Sequence, residues 1–385
     1  MRIALALTLM ASTAHAQCGG DFNTFLDGIR TEAAAEGIDT NAIDRFLAGA
    51  QREQSVLNAD RSQGVFQKDF IAFSRALISQ NRIDNGRANS SRYNSTFDRI
   101  ETQFGIPRGV ILAFWAFETD YGAFQGDFNT RNALLTLAHD CRRPELFRPQ
   151  AIAGIELTAR GGMDPARTTG AWAGEIGQVQ MLPGDILENG RDGDGDGVVD
   201  LKGSSPDALI SGASVLSSLG WRANEPWLQE IKVPASLDWS QTGLNHPKTV
   251  AEWNALGVTS RDGTAPVNLT ARVLLPMGRN GPAFFAYPNF DVYFEWNKSF
   301  VYVTTAAYFA TRLSGGPVYD AGNPTPALSG DQMQALQSKL EARGHDVGGI
   351  DGILGAKTRE AVQREQQRLG MPADAWPTTQ LLGSL

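Results

Sequence analysis

Between Ile106 and Gly122 the chain runs Ile-Pro-Arg-Gly-Val-Ile-Leu-Ala-Phe-Trp-Ala-Phe-Glu-Thr-Asp-Tyr-Gly, and this stretch limits the possible folds more than any other. Pro107 suits a first helical turn and Gly122 a stop. Between them Ile111, Phe114, Trp115 and Glu118 fall at i, i+3, i+4 and i+7, one stripe of a helix expected over Arg108 to Thr119. A carboxylate therefore lies on the apolar face, near the C-terminal end. Burial disfavours its charged form and raises its pKa, and the negative end of the helix dipole pushes the same way. A carboxyl group kept protonated near neutral pH suits general acid catalysis. The helix alone also admits a structural glutamate paired with an arginine.

Around this segment the chain reads as helices with short breaks from Asp21 to about Gly220: Phe22 to Glu36, Asn41 to Gln51, Ser91 to Phe104, Pro149 to Arg160 and Pro206 to Leu219. From about Pro226 to Trp296 the texture changes. Ala271 to Pro276 and Pro282 to Phe294 read as short strands punctuated by Gly, Pro and Asn. Helix returns from Lys298 to Leu313, and Ser314 to Pro326 has linker composition. The last sixty or so residues form a separate small unit, and no long internal repeat is visible.

Composition excludes several classes. The net charge of −8 argues against nucleic acid as a partner. The four histidines, His15, His139, His246 and His345, have no zinc-binding spacing, and no G-x-S-x-G elbow occurs. Residues 1–16 read as an export leader, with Arg2 for charge, Ile3 to Met10 as the apolar stretch and Ala14-His15-Ala16 as the cleavage site. Gln17 before Cys18 argues against a lipid anchor. After export, Cys18 and Cys141 either form one disulfide or stay as two free thiols. Eight tryptophans and nineteen phenylalanines offer core material and stacking surfaces for sugars.

Three further runs carry chemistry. Ala171 to Pro183 holds Gly174 and Gly177, with Gln178 and Gln180 offering amides suited to sugar hydroxyl and acetamido groups. Asp192-Gly-Asp-Gly-Asp-Gly-Val-Val-Asp200 places carboxylates at positions 1, 3, 5 and 9 of an EF-hand-type loop, with Gly197 at 6 and the Val198 carbonyl at 7. Position 12 is Gly203 rather than Glu, and Asp207 at the start of the next helix could close the site. Phe294 to Tyr302 brings together Trp296, Asn297 and Tyr302, aromatic faces with an amide.

Taken in order, Glu-Thr-Asp-Tyr-Gly, Ala-Trp-Ala-Gly-Glu-Ile-Gly-Gln-Val-Gln-Met-Leu-Pro, the Asp-rich loop and Trp-Asn-Lys-Ser resemble the lytic transglycosylase B family of bacterial murein-cleaving enzymes, over Asp21 to Gly315. The end of the chain resembles a peptidoglycan-binding domain type one, through Leu328 to Leu340, Gly349 to Thr358 and Ala361 to Gly370. The resemblance implies a mainly α protein. It would comprise a lysozyme-like α+β catalytic domain (17–318) with a small β-containing subdomain and a calcium loop at 192–207, a linker (319–327), and a three-helix C-terminal domain (328–385). It makes Glu118 the catalytic acid/base. Gln180, Trp296, Asn297, Tyr302, Arg142 and Arg143 match positions that hold the glycan or its peptide stem. Asp192, Asp194, Asp196, the Val198 carbonyl and Asp207 match calcium ligands. Met181-Leu182, Glu175, Trp296 and Ser214-Val215 depart from the family's usual residues.

The implied enzyme is a soluble periplasmic monomer with structural Ca²⁺ and no organic cofactor. It acts on peptidoglycan glycan strands beside wall-synthesis or division proteins. A hydrolytic glycosidase usually needs two carboxylates, and only Glu118 qualifies here, since Asp120 points to another helical face. The implied reaction therefore uses the muramic C6 hydroxyl as nucleophile and leaves a 1,6-anhydro sugar. A lysozyme-like hydrolase and a non-catalytic wall-binding protein are the alternatives.

Overall fold

A computed structural model describes residues 18–62 and 68–385, so the expected leader at 1–16 lies outside the described residues. The chain divides into two compact units, each drawn from separated stretches. The first takes the described part of Met1–Arg61 with Gly126–Ile176 and Met181–Glu188. The second takes the described part of Ser62–Gln125 with Gly177–Gln180 and Asn189–Leu385. No helix among the described residues is long and apolar enough to cross a membrane.

The first unit is helical, with Phe22–Ala35, Thr40–Leu47, Gln54–Arg61, Thr130–His139 and Pro144–Ala159 around a core that includes Ile29, Phe46, Leu134 and Ile155. Asp21 and Asp39 cap the first two helices by accepting from the Thr24 and Ala42 amides. A disulfide joins Cys18 to Cys141, with Cα atoms 5.1 Å apart.

In the second unit, helix Arg108–Thr119 is buried along most of its length and packs against helix Phe300–Leu313. An antiparallel five-stranded sheet follows the order Lys248–Thr249, Thr270–Leu274, Phe284–Ala286, Leu228–Lys232, Thr259–Ser260. Val273 and Phe285 of the sheet share one buried cluster with Trp253 and Tyr287. One expectation fails here. The aromatic run ending at Phe294 is a strand only over Phe284–Ala286, after which Pro288–Trp296 is a helix. Pro288 sits in its first turn, and Phe290, Tyr293 and Phe294 fall at i, i+3 and i+4, so helical periodicity overrides aromatic β-propensity.

The C-terminal module is three helices, Gly330–Glu341, Ala356–Arg368 and Thr379–Ser384, around Leu336, Leu340, Val362 and Leu381. The segment before it has no regular structure, yet it is fastened along its length. Tyr319 is buried against Phe70, Phe284 and Tyr308, and its hydroxyl shares a 2.9 Å hydrogen bond with Ser74 Oγ. The Asp320 amide donates to Glu230 Oε1 (2.7 Å) and the Asn323 amide to the Asn280 carbonyl (2.8 Å). The module itself is docked on the sheet region. Arg359 Nη2 donates to the Pro276 carbonyl (2.7 Å), and its guanidinium lies 4.3 Å from the Phe300 ring centre. Gln363 Nε2 donates to the carbonyls of Trp239 (3.2 Å) and Thr242 (3.0 Å).

Candidate active site

Glu118 stands in the last turn of helix Arg108–Thr119, one turn beyond Phe114 and Trp115. It keeps some accessible surface while protein atoms crowd its carboxyl. Two donors converge on a single oxygen. Tyr302 Oη donates to Oε1 at 2.6 Å, and Trp296 Nε1 donates to the same Oε1 at 2.9 Å. Oε2 accepts no hydrogen bond from the described residues. Burial pushes the carboxyl above the ordinary carboxylate range, and the bonds from Tyr302 and Trp296 pull it part of the way back. Burial also holds the Tyr302 phenol well above its usual value, with Glu118 adding to the effect, so the phenol remains a donor.

The run from Trp296 to Tyr302 explains how both donors arrive. Trp296 ends helix Pro288–Trp296, and Asn297 leaves it in an extended conformation. Asn297 Oδ1 accepts from the Ser299 amide (2.9 Å), and Ser299 Oγ caps the next helix at the Tyr302 amide (3.4 Å). Aromatic packing then sets the two rings. Trp296 lies 4.5 Å from Phe114 between ring centres, and Tyr302 meets Phe117 edge-on at 5.7 Å. Phe114 and Phe117 belong to the acid's own helix, so one helix positions the carboxyl and both of its partners.

Of the two glutamines, Gln178 is structural. It is buried, its Oε1 accepts from Trp115 Nε1 (3.1 Å) and Ser205 Oγ (3.1 Å), and its Nε2 donates to the Lys202 carbonyl (3.2 Å). Gln180 is different. Its backbone is left-handed (φ 53°), its Nε2 donates to the Gly177 carbonyl (2.8 Å), and its Oε1 has no partner among the described residues. A non-glycine residue in that conformation is a common mark of a functional site. Thr119, which the sequence reading passed over, donates through Oγ1 to the Gln178 carbonyl at 2.6 Å and ties the acid helix to the glutamine run.

Arg142 and Arg143 belong to the first unit, where both bind the buried Asp60. Arg142 Nη1 donates to its carbonyl (2.7 Å) and to Oδ2, and Arg143 Nη2 donates to Oδ1. A buried carboxylate needs such partners, so these arginines have a structural role whatever else they touch.

In the Asp-rich loop, Asp192, Asp194 and Asp196 present oxygens that all lie within 4.8 Å of one another. Gly197 has the positive φ, 91°, that the sixth loop position demands. Asp207 is buried beneath the loop and stands outside that cluster. Its Oδ1 accepts from the amides of Gly193 (2.8 Å) and Asp194 (3.3 Å), and its Oδ2 from that of Asp200 (2.7 Å). Three of about four lone-pair positions are thus used in shaping the loop.

Residues 21–311 match the family Transglycosylase SLT domain, and residues 329–385 match a peptidoglycan binding domain. The crystal structure of SltB3 from Pseudomonas aeruginosa in complex with NAG-anhNAM-pentapeptide is similar over 95% of this chain and 99% of that one, with a TM-score of 0.86 and 35% identity. The Escherichia coli lytic transglycosylase Slt35 in complex with calcium shares the fold, with a TM-score of 0.65 at 23% identity over 78% of this chain and 96% of that one. The membrane-bound lytic murein transglycosylase B of Escherichia coli is 23% identical over 301 residues, 74% of this chain and 81% of its own length.

Proposed function

The chain belongs to the SLT-domain family of transglycosylases, and from that premise we propose that Glu118 serves as its single acid and base. The protein is a lytic murein transglycosylase, an enzyme acting on peptidoglycan, with a peptidoglycan-binding domain at its C-terminal end. Its substrate is the β-1,4 bond between N-acetylmuramic acid and N-acetylglucosamine. The observation that carries the acid/base reading is the asymmetry of the carboxyl group. Oε1 is held by Tyr302 and Trp296, which leaves Oε2 to carry the proton to the glycosidic oxygen.

The steps follow from that proton. Oε2–H protonates the glycosidic oxygen as the bond to C1 breaks. The resulting carboxylate takes the proton of the muramic C6 hydroxyl as that oxygen bonds to C1. The acid is restored, a 1,6-anhydro sugar leaves, and no water is consumed. A hydrolase would need a second carboxylate across the bond. The acidic residue nearest Glu118 in sequence, Asp120, is ion-paired with Arg82. Gln180 Oε1 and Asn297 Nδ2, both without partners among the described residues, are the groups we assign to the glycan. We keep Arg142 and Arg143 as candidates for the peptide stem.

Asp192, Asp194, Asp196 and the Val198 carbonyl fit Ca²⁺, a hard cation that takes oxygen ligands, and Asp207 braces the loop with one lone pair to spare. The ion would stabilise the segment beside the glutamine run and take no part in the proton transfers. We propose further that the working protein is periplasmic, where its murein substrate lies and to which the leader expected at 1–16 would export it, and that it acts there as a monomer beside wall-synthesis or division proteins.

Mass analysis of muropeptides released from purified sacculi tests the proposal. The protein should yield anhydro ends, and Glu118→Gln should abolish turnover by about 10²–10⁴-fold, the usual contribution of a positioned acid. Reducing ends would mean a hydrolase, and activity retained in Glu118→Gln would remove Glu118 from its role.

A further inference from the structure

We propose that Arg82 is a positioning residue for the reaction, holding a strained left-handed turn that fixes where the helix carrying Glu118 ends. The proposal rests on Glu118 being the acid.

Immediately after helix Arg108–Thr119 come three successive left-handed residues, Asp120 (φ 51°), Tyr121 (φ 61°) and Gly122 (φ 87°). Glycine adopts this conformation freely, and at position 122 a Cβ would also come within 2.7 Å of Gln178 Oε1. Asp120 and Tyr121 carry side chains, and each is strained there. An ordinary helix stop needs one such residue, not three. Consecutive strained residues persist only where their surroundings over-determine them, and they gather at functional sites.

Much of that constraint comes from one residue. Arg82, in helix Gln80–Arg92, donates through Nε to Asp120 Oδ1 (2.9 Å) and through Nη1 to the Leu77 carbonyl (3.2 Å). Its own carbonyl accepts from Tyr121 Oη (2.7 Å). Both strained residues are therefore tied to the same point. The Tyr121 ring lies edge-on to Trp115 at 5.5 Å, and its hydroxyl fills the space over Gly86, where a Cβ would stand 2.6 Å from it. Burial keeps that phenol well above its ordinary pKa, so it remains a donor.

The held turn has two consequences for the site. The Asp120 and Tyr121 amides close on the Ala116 (2.9 Å) and Trp115 (3.2 Å) carbonyls, ending the helix one residue past the acid. The Gly122 amide then reaches back to Thr119 Oγ1 (2.9 Å), orienting that hydroxyl toward the Gln178 carbonyl (2.6 Å). Releasing Asp120 frees the last helical turn, and Glu118 with it. Displacements of an ångström at a reacting group are costly in rate.

The test is a glycine rescue. Steady-state kcat and KM are measured on soluble peptidoglycan oligomers for the wild type, Arg82→Met, Asp120→Gly and the double variant, with Glu118→Gln as a control. Arg82→Met should lower kcat by at least about tenfold, equivalent to about 1.4 kcal/mol, and leave KM within about twofold. Asp120→Gly should stay near wild type, because glycine holds φ 51° without a clamp. Adding Asp120→Gly to Arg82→Met should restore kcat to within about threefold of wild type. If Arg82→Met does not fold, Arg82→Lys, which keeps the charge and loses the planar fork, is read in the same way. Wild-type kcat in Arg82→Met, a loss confined to KM, or a loss that glycine leaves in place would overturn the proposal. An active Glu118→Gln would instead remove the acid assignment on which the clamp depends.

Discussion

Replacing Trp296 with Phe isolates one of the two bonds that tune the acid. The ring keeps its place against Phe114, 4.5 Å between centres, and the indole N–H that reaches Glu118 Oε1 at 2.9 Å is lost. A hydrogen bond to a charged group contributes about 1.5–3 kcal/mol net. The lower end applies, because Tyr302 still holds the same oxygen at 2.6 Å and the site retains some solvent access. About 1.5 kcal/mol is roughly a tenfold change in the ionisation constant. The sign follows from which form the donor favours. Burial already raises the carboxyl's pKa, and both bonds oppose it by stabilising the carboxylate. Removing one destabilises the carboxylate further, so the proton is held to higher pH. Because the first step needs the protonated acid, the alkaline limb of kcat/KM against pH should move upward. Tyr302→Phe should shift it in the same direction. The readout is anhydro-muropeptide release across pH, quantified by chromatography with mass detection. An unmoved limb, or one displaced to lower pH, would refute the reasoning and return Trp296 to the role of a glycan contact.

Other expectations concern stability and assembly. Glu118→Gln should gain melting temperature over wild type as pH rises from the ordinary glutamate range through the raised value in the folded protein. Across that window the unfolded chain ionises while the folded carboxyl resists, so the wild type loses stability that the amide keeps. Below the ordinary range the two proteins should melt alike. Exhaustive chelation should lower the melting temperature, and added Ca²⁺ should restore it, by about 2.7 kcal/mol at a hundredfold excess over Kd. An unchanged melt would remove the calcium assignment. Arg359→Met leaves the Leu275 and Pro276 carbonyls without their donor, a cost of about 1–3 kcal/mol. It should loosen the C-terminal module, so that limited proteolysis cuts within 319–327, where the wild type resists.

What could be read from the chain depended on whether a property was local. Helix Arg108–Thr119 was legible because its apolar stripe and its proline and glycine ends are written in consecutive residues. The C-terminal helices were expected through the resemblance of Leu328 to Leu340, Gly349 to Thr358 and Ala361 to Gly370 to a known domain. Helix Pro288–Trp296 was misread because its aromatic residues favour strands locally, although Pro288 and the spacing of Phe290, Tyr293 and Phe294 also suit a helix, the choice that packing of Tyr293 and Trp296 on Phe114 then reinforces. Ser314 to Pro326 has linker composition, and one buried tyrosine within it, Tyr319, anchors the segment. Tyr302 and Trp296 were visible as candidate glycan contacts but not as hydrogen-bond partners of Glu118, since that depends on where two helix ends meet in space. Asp120 and Tyr121 gave no sign of a left-handed backbone, because neither residue type demands one, and Arg82 had no motif at all.

The site's geometry also bears on why one carboxyl can suffice for two proton transfers. An acid held protonated by burial alone would give up its proton reluctantly and, once ionised, would be an unstable base. One stabilised by hydrogen bonds alone would be ionised before substrate arrived. Glu118 stands between these limits, because burial raises its pKa while Tyr302 and Trp296 support the carboxylate that must exist between the two transfers. Placing both donors on Oε1 supplies that support without occupying Oε2, the oxygen we propose gives up a proton and takes one back. If two opposed effects set the acid in this way, removing both donors should impair the first transfer more than the second, because the carboxyl then gives up its proton less readily. The double variant Trp296→Phe/Tyr302→Phe should therefore still bind glycan and lose kcat by more than the product of the two single losses, because in each single variant the remaining donor still supports the carboxylate on the same oxygen. Losses that merely multiply would show that the two donors act independently, with no shared role in supporting the carboxylate.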